Sequence, residues 1–207
     1  MKNLLKDLLL AVMAGLSISI GCIAFLSSGD KAIGAAAFAV GLFMVVNFKF
    51  NLFTGKVCYS LDNKPSYILR LLIIWVGNLI GALAVAGLMR LTRFDGLIET
   101  CKTIVAAKLG GSYLSSFVLG IFCNILIYLA VHGYSRFENS VAKFAALFFG
   151  VFIFVFCGFE HCVADMFYLA FAGSFTAESL FFLLFVTLGN IVGGLLLPAV
   201  DKLVNLK

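Results

Sequence analysis

Apolar residues fill most of this chain in long runs, and the polar residues that interrupt them fall at a few places. Four runs, at about residues 7–25, 67–91, 113–132 and 180–200, approach the roughly 20 residues that a helix needs to cross a bilayer. Two further runs do not stay apolar. The run that opens near residue 32 is disturbed at residues 47–56, NFKFNLFTGK, resumes weakly to about Leu61 and is closed by Asp62-Asn63-Lys64-Pro65. The run at 141–172 is interrupted by Gly158, Glu160, His161 and Asp165. Ionisable residues at bilayer depth are costly, so they face a protein interior or a water-filled path. Broken backbone at that depth survives only where it is buried in protein or lines a cavity. The pattern predicts an all-α membrane protein of six spans, the second and fifth broken, with a short helix at 96–107 inside the polar connection 93–112. The two breaks are candidate positions for a transport site.

The chain repeats itself. Residues 77–83 read GNLIGAL and residues 189–195 read GNIVGGL. Each copy is expected to open the third span of a half, directly after a broken span. Three is an odd number, so the second half enters the membrane upside down. Inverted repeats with matching broken helices point to a binding site or pore at their interface. Residues 1–207 are therefore read as one transmembrane channel domain, with repeats at about 7–92 and 113–204. The local role expected for the glycines and asparagines of the repeat is close helix packing.

Composition agrees with the pattern. At 63% hydrophobic and 12% charged, a chain of 207 residues has too little polar surface to stand alone in water. The first run is read as a span and not as a cleaved signal, because no small-residue cleavage pattern follows it. The net charge of +5 is no nucleic-acid signal, since the basic residues are spread over loops and ends. With the amino terminus inside, Lys2, Lys6, Lys56, Lys64, Arg70, Arg136, Lys143, Lys202 and Lys207 lie inside. Lys31, Arg90, Arg93, Lys102 and Lys108 lie outside. That bias orients both termini towards the cytoplasm of a multi-pass cell-membrane protein. The six cysteines form no CxxC pair and lie mostly in apolar runs, where cysteine acts as a small hydrophobe. A metal centre of a membrane enzyme, built from Glu160, His161, Cys162 and Asp165, fails on spacing: neighbours on one helical turn point apart. No metal, cofactor or enzymatic activity is expected. The alternative reading is an aquaporin-like channel for small neutral solutes, but the chain has no Asn-Pro-Ala break.

Four pieces, in this order and spacing, carry a resemblance: Leu52-Phe53-Thr54-Gly55, Gly77-Asn78-Leu79-Ile80-Gly81, Gly158-Phe159-Glu160-His161 and Gly189-Asn190-Ile191-Val192-Gly193. Together they make the chain similar to the formate/nitrite transporter family over nearly its whole length. The resemblance implies an aquaporin-like fold, a homopentamer with one pore per subunit, and passage of small monovalent anions or their weak acids. Formate, nitrite, lactate and hydrosulfide belong to that class, and the Thr54–Lys56 run resembles the hydrosulfide-type branch. It also implies that Thr54 and His161 lie on the substrate pathway, that Lys108 stands in a vestibule, and that Phe38, Leu42, Leu52, Ile127 and Phe154 form apolar constrictions. The chain departs from the family at Asn51, where an acid is usual, at Asp165, where asparagine is usual, and at Lys49, where a small residue is common.

These residues suggest a chemistry. His161 is the one side chain in the breaks whose reference pKa lies near neutrality, so it is expected to hydrogen-bond the solute or lend it a proton. Thr54 offers a hydroxyl, and each break starts a half-helix whose amino end suits an anion. Lys108 is expected to gather anions at the mouth. Dry rings reject a bare anion and pass a neutral acid, so a proton is expected to accompany the solute. Lys49 and Asp165, one in each break, are expected to pair across the two broken helices; the alternative is that Lys49 snorkels to a vestibule and Asp165 caps the second half-helix.

Overall fold

The computed structural model describes residues 2–205; Lys207, one of the basic residues counted above, lies outside the described residues. The helices are α1 (Lys2–Ser27), α2 (Lys31–Asn47), α3 (Phe53–Val57), α4 (Tyr67–Met89), α5 (Asp95–Leu109), α6 (Tyr113–Arg136), α7 (Ser140–Cys157), α8 (Cys162–Ala172) and α9 (Ala177–Asn205). No strand occurs among the described residues. Helices α1, α4, α6, α7 and α9 are long and apolar enough to cross a membrane, whereas α2 and α8 are shorter apolar helices. The run expected to be the second span is thus a helix of 17 residues followed by one of only five. The last helix continues through Pro198 to Asn205, beyond the expected end near residue 200.

Local chemistry sets the ends. Helix α2 starts where Asp30 accepts a hydrogen bond from the Ile33 N–H at 2.8 Å. It ends in a reversal: Phe50 N–H returns to the Val45 carbonyl at 2.9 Å, and Lys49 takes a left-handed φ of 56°. Helix α7 starts at Asn139, which caps the N–H groups of Val141 and Ala142. It ends at Gly158, whose φ of 75° is open to glycine without steric cost, and Phe159 N–H then bonds back to the Phe154 carbonyl.

The packing comes in two matching sets. Helix α1 lies on α2 and α4, and α6 lies on α7 and α9. Helix α2 faces α7, while the short helices cross over: α8 packs on α4 and α3 on α9. The two Gly-Asn repeats sit in the middle of α4 and α9, not at their starts. A Cβ at Gly81 would overlap the Val12 carbonyl, and one at Gly193 the Ile121 carbonyl. These glycines therefore let backbone meet backbone, as expected for close helix packing.

Candidate functional site

Each break is held by an asparagine of the long helix behind it. Asn78 on α4 accepts from the Phe53 N–H at 2.8 Å and donates to the carbonyls of Ala11 and Asn51 at 2.8 and 2.9 Å. Asn190 on α9 does the same for the second break. It accepts from the Cys162 N–H and donates to the carbonyls of Gly120 and Glu160, all at 2.9 Å. Both asparagines are fully buried. A third amide, Asn124 on α6, donates to the carbonyls of Thr54 and Asn190 and so joins the two breaks. Sequence reading took the repeat asparagines as packing residues. The usable signal was a carboxamide at the same place in both copies, in the middle of an apolar helix, where each polar atom must find a partner.

Held in this way, α3 and α8 meet end to end. His161 is the N-cap of α8, and its Nδ1 accepts from the Ala164 N–H at 3.1 Å. Its Nε2 lies 2.9 Å from Thr54 Oγ1. Because Nδ1 is an acceptor, the neutral imidazole carries its proton on Nε2, which donates to Thr54. The threonine hydroxyl hydrogen then remains for another partner. The imidazole stacks on Phe154 with ring centroids 5.6 Å apart, and Phe154 meets Phe38 edge-on at 5.8 Å. Thr54, His161, Phe38 and Phe154 thus form one buried cluster. Leu42, Leu52 and Ile127 are buried in the same core. The amino ends of α3 and α8 are less free than the sequence suggested, since Asn78, Asn190 and His161 occupy some of their N–H groups.

A cavity opens on either side of this cluster. One, of about 180 Å³, is lined by Phe38, Phe154, His161, Lys108 and Asp165, with Lys31 among its other residues. The other, of about 650 Å³, is lined by Leu52, Gly55, Tyr59 and three lysines, Lys49, Lys56 and Lys143, with no acidic residue.

The expected pairing of Lys49 with Asp165 does not occur. Lys49 is exposed in the larger cavity, and Asp165 is buried beside the smaller one. Asp165 pairs instead with Lys108, whose Nζ is 2.9 Å from Oδ1 and also hydrogen-bonds Glu160. Helix α5 of the connecting segment lies against α8 and brings Lys108 to the acids, while the reversal after α2 turns Lys49 outward. Burial works against the Lys108 ammonium, but the carboxylates of Asp165 and Glu160 outweigh it and hold its pKa above the usual lysine value. Lys108 is therefore not the lone mouth charge that the sequence suggested. Asn51 is tied to α1 by a 2.9 Å bond to Asp7, itself bidentately held by Arg70.

The formate/nitrite transporter family model matches residues 1–203. The chain belongs to the formate/nitrite transporter family. It is 34% identical over 199 residues to a probable formate transporter of Methanothermobacter thermautotrophicus, covering 82% of this chain and 73% of the relative. It is 28% identical over 211 residues to the nitrite transporter NirC of Escherichia coli, covering 89% of this chain and 77% of the relative. The solved structure described as a pentameric formate channel with formate bound superposes with a TM-score of 0.87 at 31% identity. That match covers 100% of this chain and 99% of the other. These relatives are transporters and channels, not enzymes.

Proposed function

We propose that the chain forms a homopentameric membrane channel in which each subunit passes small monovalent anions, formate and nitrite foremost, or their weak acids. Each subunit is one domain of six spans in two inverted repeats, α2–α3 and α7–α8 being the broken ones, with both termini in the cytoplasm. The observation that carries this reading is the contact of Thr54 with His161 where the two breaks meet, between two cavities and beside the Phe38–Phe154 pair. The solute pathway runs from the Lys108 cavity past Phe38 and Phe154 to Thr54 and His161. It leaves by Leu42, Leu52 and Ile127 into the cavity of the three lysines.

The chemistry is selective by what it withholds. An unpaired anion entering an aromatic ring loses its hydration without a countercharge, so a neutral acid crosses more easily. At the centre, the Nε2–H of His161 holds the Thr54 oxygen as an acceptor, which turns the hydroxyl hydrogen towards the solute. The test is an uptake panel in proteoliposomes with formate, nitrite, lactate and hydrosulfide at several pH values, beside glycerol. Formate and nitrite uptake is expected to rise as the pH falls, with glycerol excluded. Glycerol permeation that ignores pH would replace this reading with a neutral-solute pore.

The three lysines of the larger cavity gather the anion on that side. A concave surface with one sign of charge raises the local concentration of its counter-ion, and salt screens the effect. Replacing Lys49, Lys56 and Lys143 together by Met is expected to raise the half-saturating formate concentration several-fold for entry from that side. The maximal rate should change little, and the gap should narrow at high ionic strength. Electrophysiology in planar bilayers reads both directions separately; equal loss in both would refute this role.

A further inference from the structure

At the Lys108 cavity two carboxylates, Glu160 and Asp165, share the Lys108 ammonium, a second ammonium, Lys31, lines the same cavity, and the carboxylates are not equivalent. Glu160 is hydrogen-bonded by Lys108. Asp165, 1% exposed, is paired through Oδ1 with the same ammonium at 2.9 Å, and its Oδ2 has no hydrogen-bond partner among the described residues. It lines the cavity together with His161 and Phe154, immediately before the aromatic pair. A buried carboxylate with an idle oxygen is out of place in a site that already holds a second carboxylate. Two such groups sharing one countercharge do not both ionise readily.

We propose that Asp165 is a proton site: a neutral carboxylic acid that hands its proton to the anion entering this cavity. The inference rests on the channel reading given above. With both acids ionised the two carboxylates cancel the two ammoniums, Lys108 and Lys31, and the cavity offers the entering anion no net positive charge. A proton on Asp165 removes one of those negative charges, leaves the cavity net positive and supplies an O–H group. In the transfer, the O–H bond of Asp165 breaks and an O–H bond forms on the solute, giving Asp165 carboxylate and the neutral acid. No electron changes hands, and a hydronium ion from the bulk solution on this side reloads Asp165, leaving water. The neutral acid then meets Phe38 and Phe154.

The groups that face Asp165 fit this role. Helix α5 contributes Lys108, and the break contributes Glu160 and His161. Cys22 of α1, Cys123 of α6 and Cys162 and Tyr168 of α8 lie close enough to sense its charge, and thiols and phenols are neutral near pH 7. Helix α2 places Lys31 on the same cavity. Arg90 at the end of α4 is engaged with the Phe171 carbonyl at the far end of α8.

Infrared difference spectroscopy of the full-length protein in liposomes, titrated with pH, tests the site without relying on transport. The wild type is expected to show the C=O stretch of a neutral carboxylic acid, disappearing as the pH rises. Asp165→Asn should abolish that band. Glu160→Gln should move its loss to lower pH, because Lys108 then serves Asp165 alone. Formate uptake should follow the same pH midpoint in the wild type and lose that inflection in Asp165→Asn. Should Asp165→Asn fail to assemble, the shift in Glu160→Gln still decides. Flux without the band, or an unchanged pH profile in Asp165→Asn, would overturn the inference and leave the channel reading in place. A band without flux of any weak acid would overturn the channel reading and the hand-off with it.

Discussion

Asn190→Leu is expected to prevent stable folding, and Asn78→Leu to do the same by the same route. Leucine matches asparagine in shape, so little packing is lost, but two buried partners are stranded at each site. For Asn190 these are the Cys162 N–H and the Glu160 carbonyl; for Asn78 they are the Phe53 N–H and the Asn51 carbonyl, while the Gly120 and Ala11 carbonyls keep their bonds within α6 and α1. A buried polar group left without its partner costs about 1–3 kcal/mol. Two of them amount to roughly 2–6 kcal/mol, against the ~5–15 kcal/mol that holds a typical domain together. Asn139→Leu is the control, since it removes only an exposed helix cap, at a cost of ~1 kcal/mol. Thermal unfolding in detergent, followed by the loss of the monodisperse size-exclusion peak, ranks the three variants. Apparent melting temperatures for Asn78→Leu and Asn190→Leu no lower than that of Asn139→Leu would mean that the amides are packing residues only.

His161→Phe is expected to abolish weak-acid flux in an assembled protein. Phenylalanine keeps the ring against Phe154, so the aromatic stack survives. It loses the cap on Ala164 N–H, at a cost of ~1 kcal/mol, and it leaves Thr54 with no donor to orient it. The solute then meets a further apolar ring where a hydrogen-bonding centre had stood. Thr54→Val removes the hydroxyl and keeps the imidazole, and is expected to slow uptake less completely. Uptake in proteoliposomes, normalised to the size-exclusion peak, gives both numbers. Flux and pH dependence unchanged in His161→Phe would reduce His161 to a structural cap.

The helices were legible in the sequence because hydropathy reports burial and lipid contact directly. The breaks were legible because Glu160, His161 and Asp165 interrupt an apolar run. Thr54 and His161 were found by motif and resemblance, and their 2.9 Å contact is a fact of the three-dimensional structure. The partners of the repeat asparagines were hidden for a different reason. Asn78 reaches Ala11, 67 residues away, and Asn190 reaches Gly120, 70 residues away; both targets are carbonyls, which no side-chain pattern announces. Asp165 was assigned to the wrong lysine because depth in the membrane was the only guide. Which of two lysines comes within reach depended on α5, a helix of the connecting segment, folding back onto α8.

The Thr54–His161 contact joins the first half of the chain to the second, and neither half contains the site alone. A hydrogen bond of this kind weakens steeply once its geometry departs from the favoured range. The two short helices that carry it hang from different long helices, α4 holding one break through Asn78 and α9 the other through Asn190. A small sideways parting of those supports would unfasten the clasp without disturbing either fold. Hydrophobic thickness acts on the tilt of membrane-spanning helices, so on the proposed channel reading a thinner or thicker bilayer would pull on the Thr54–His161 contact.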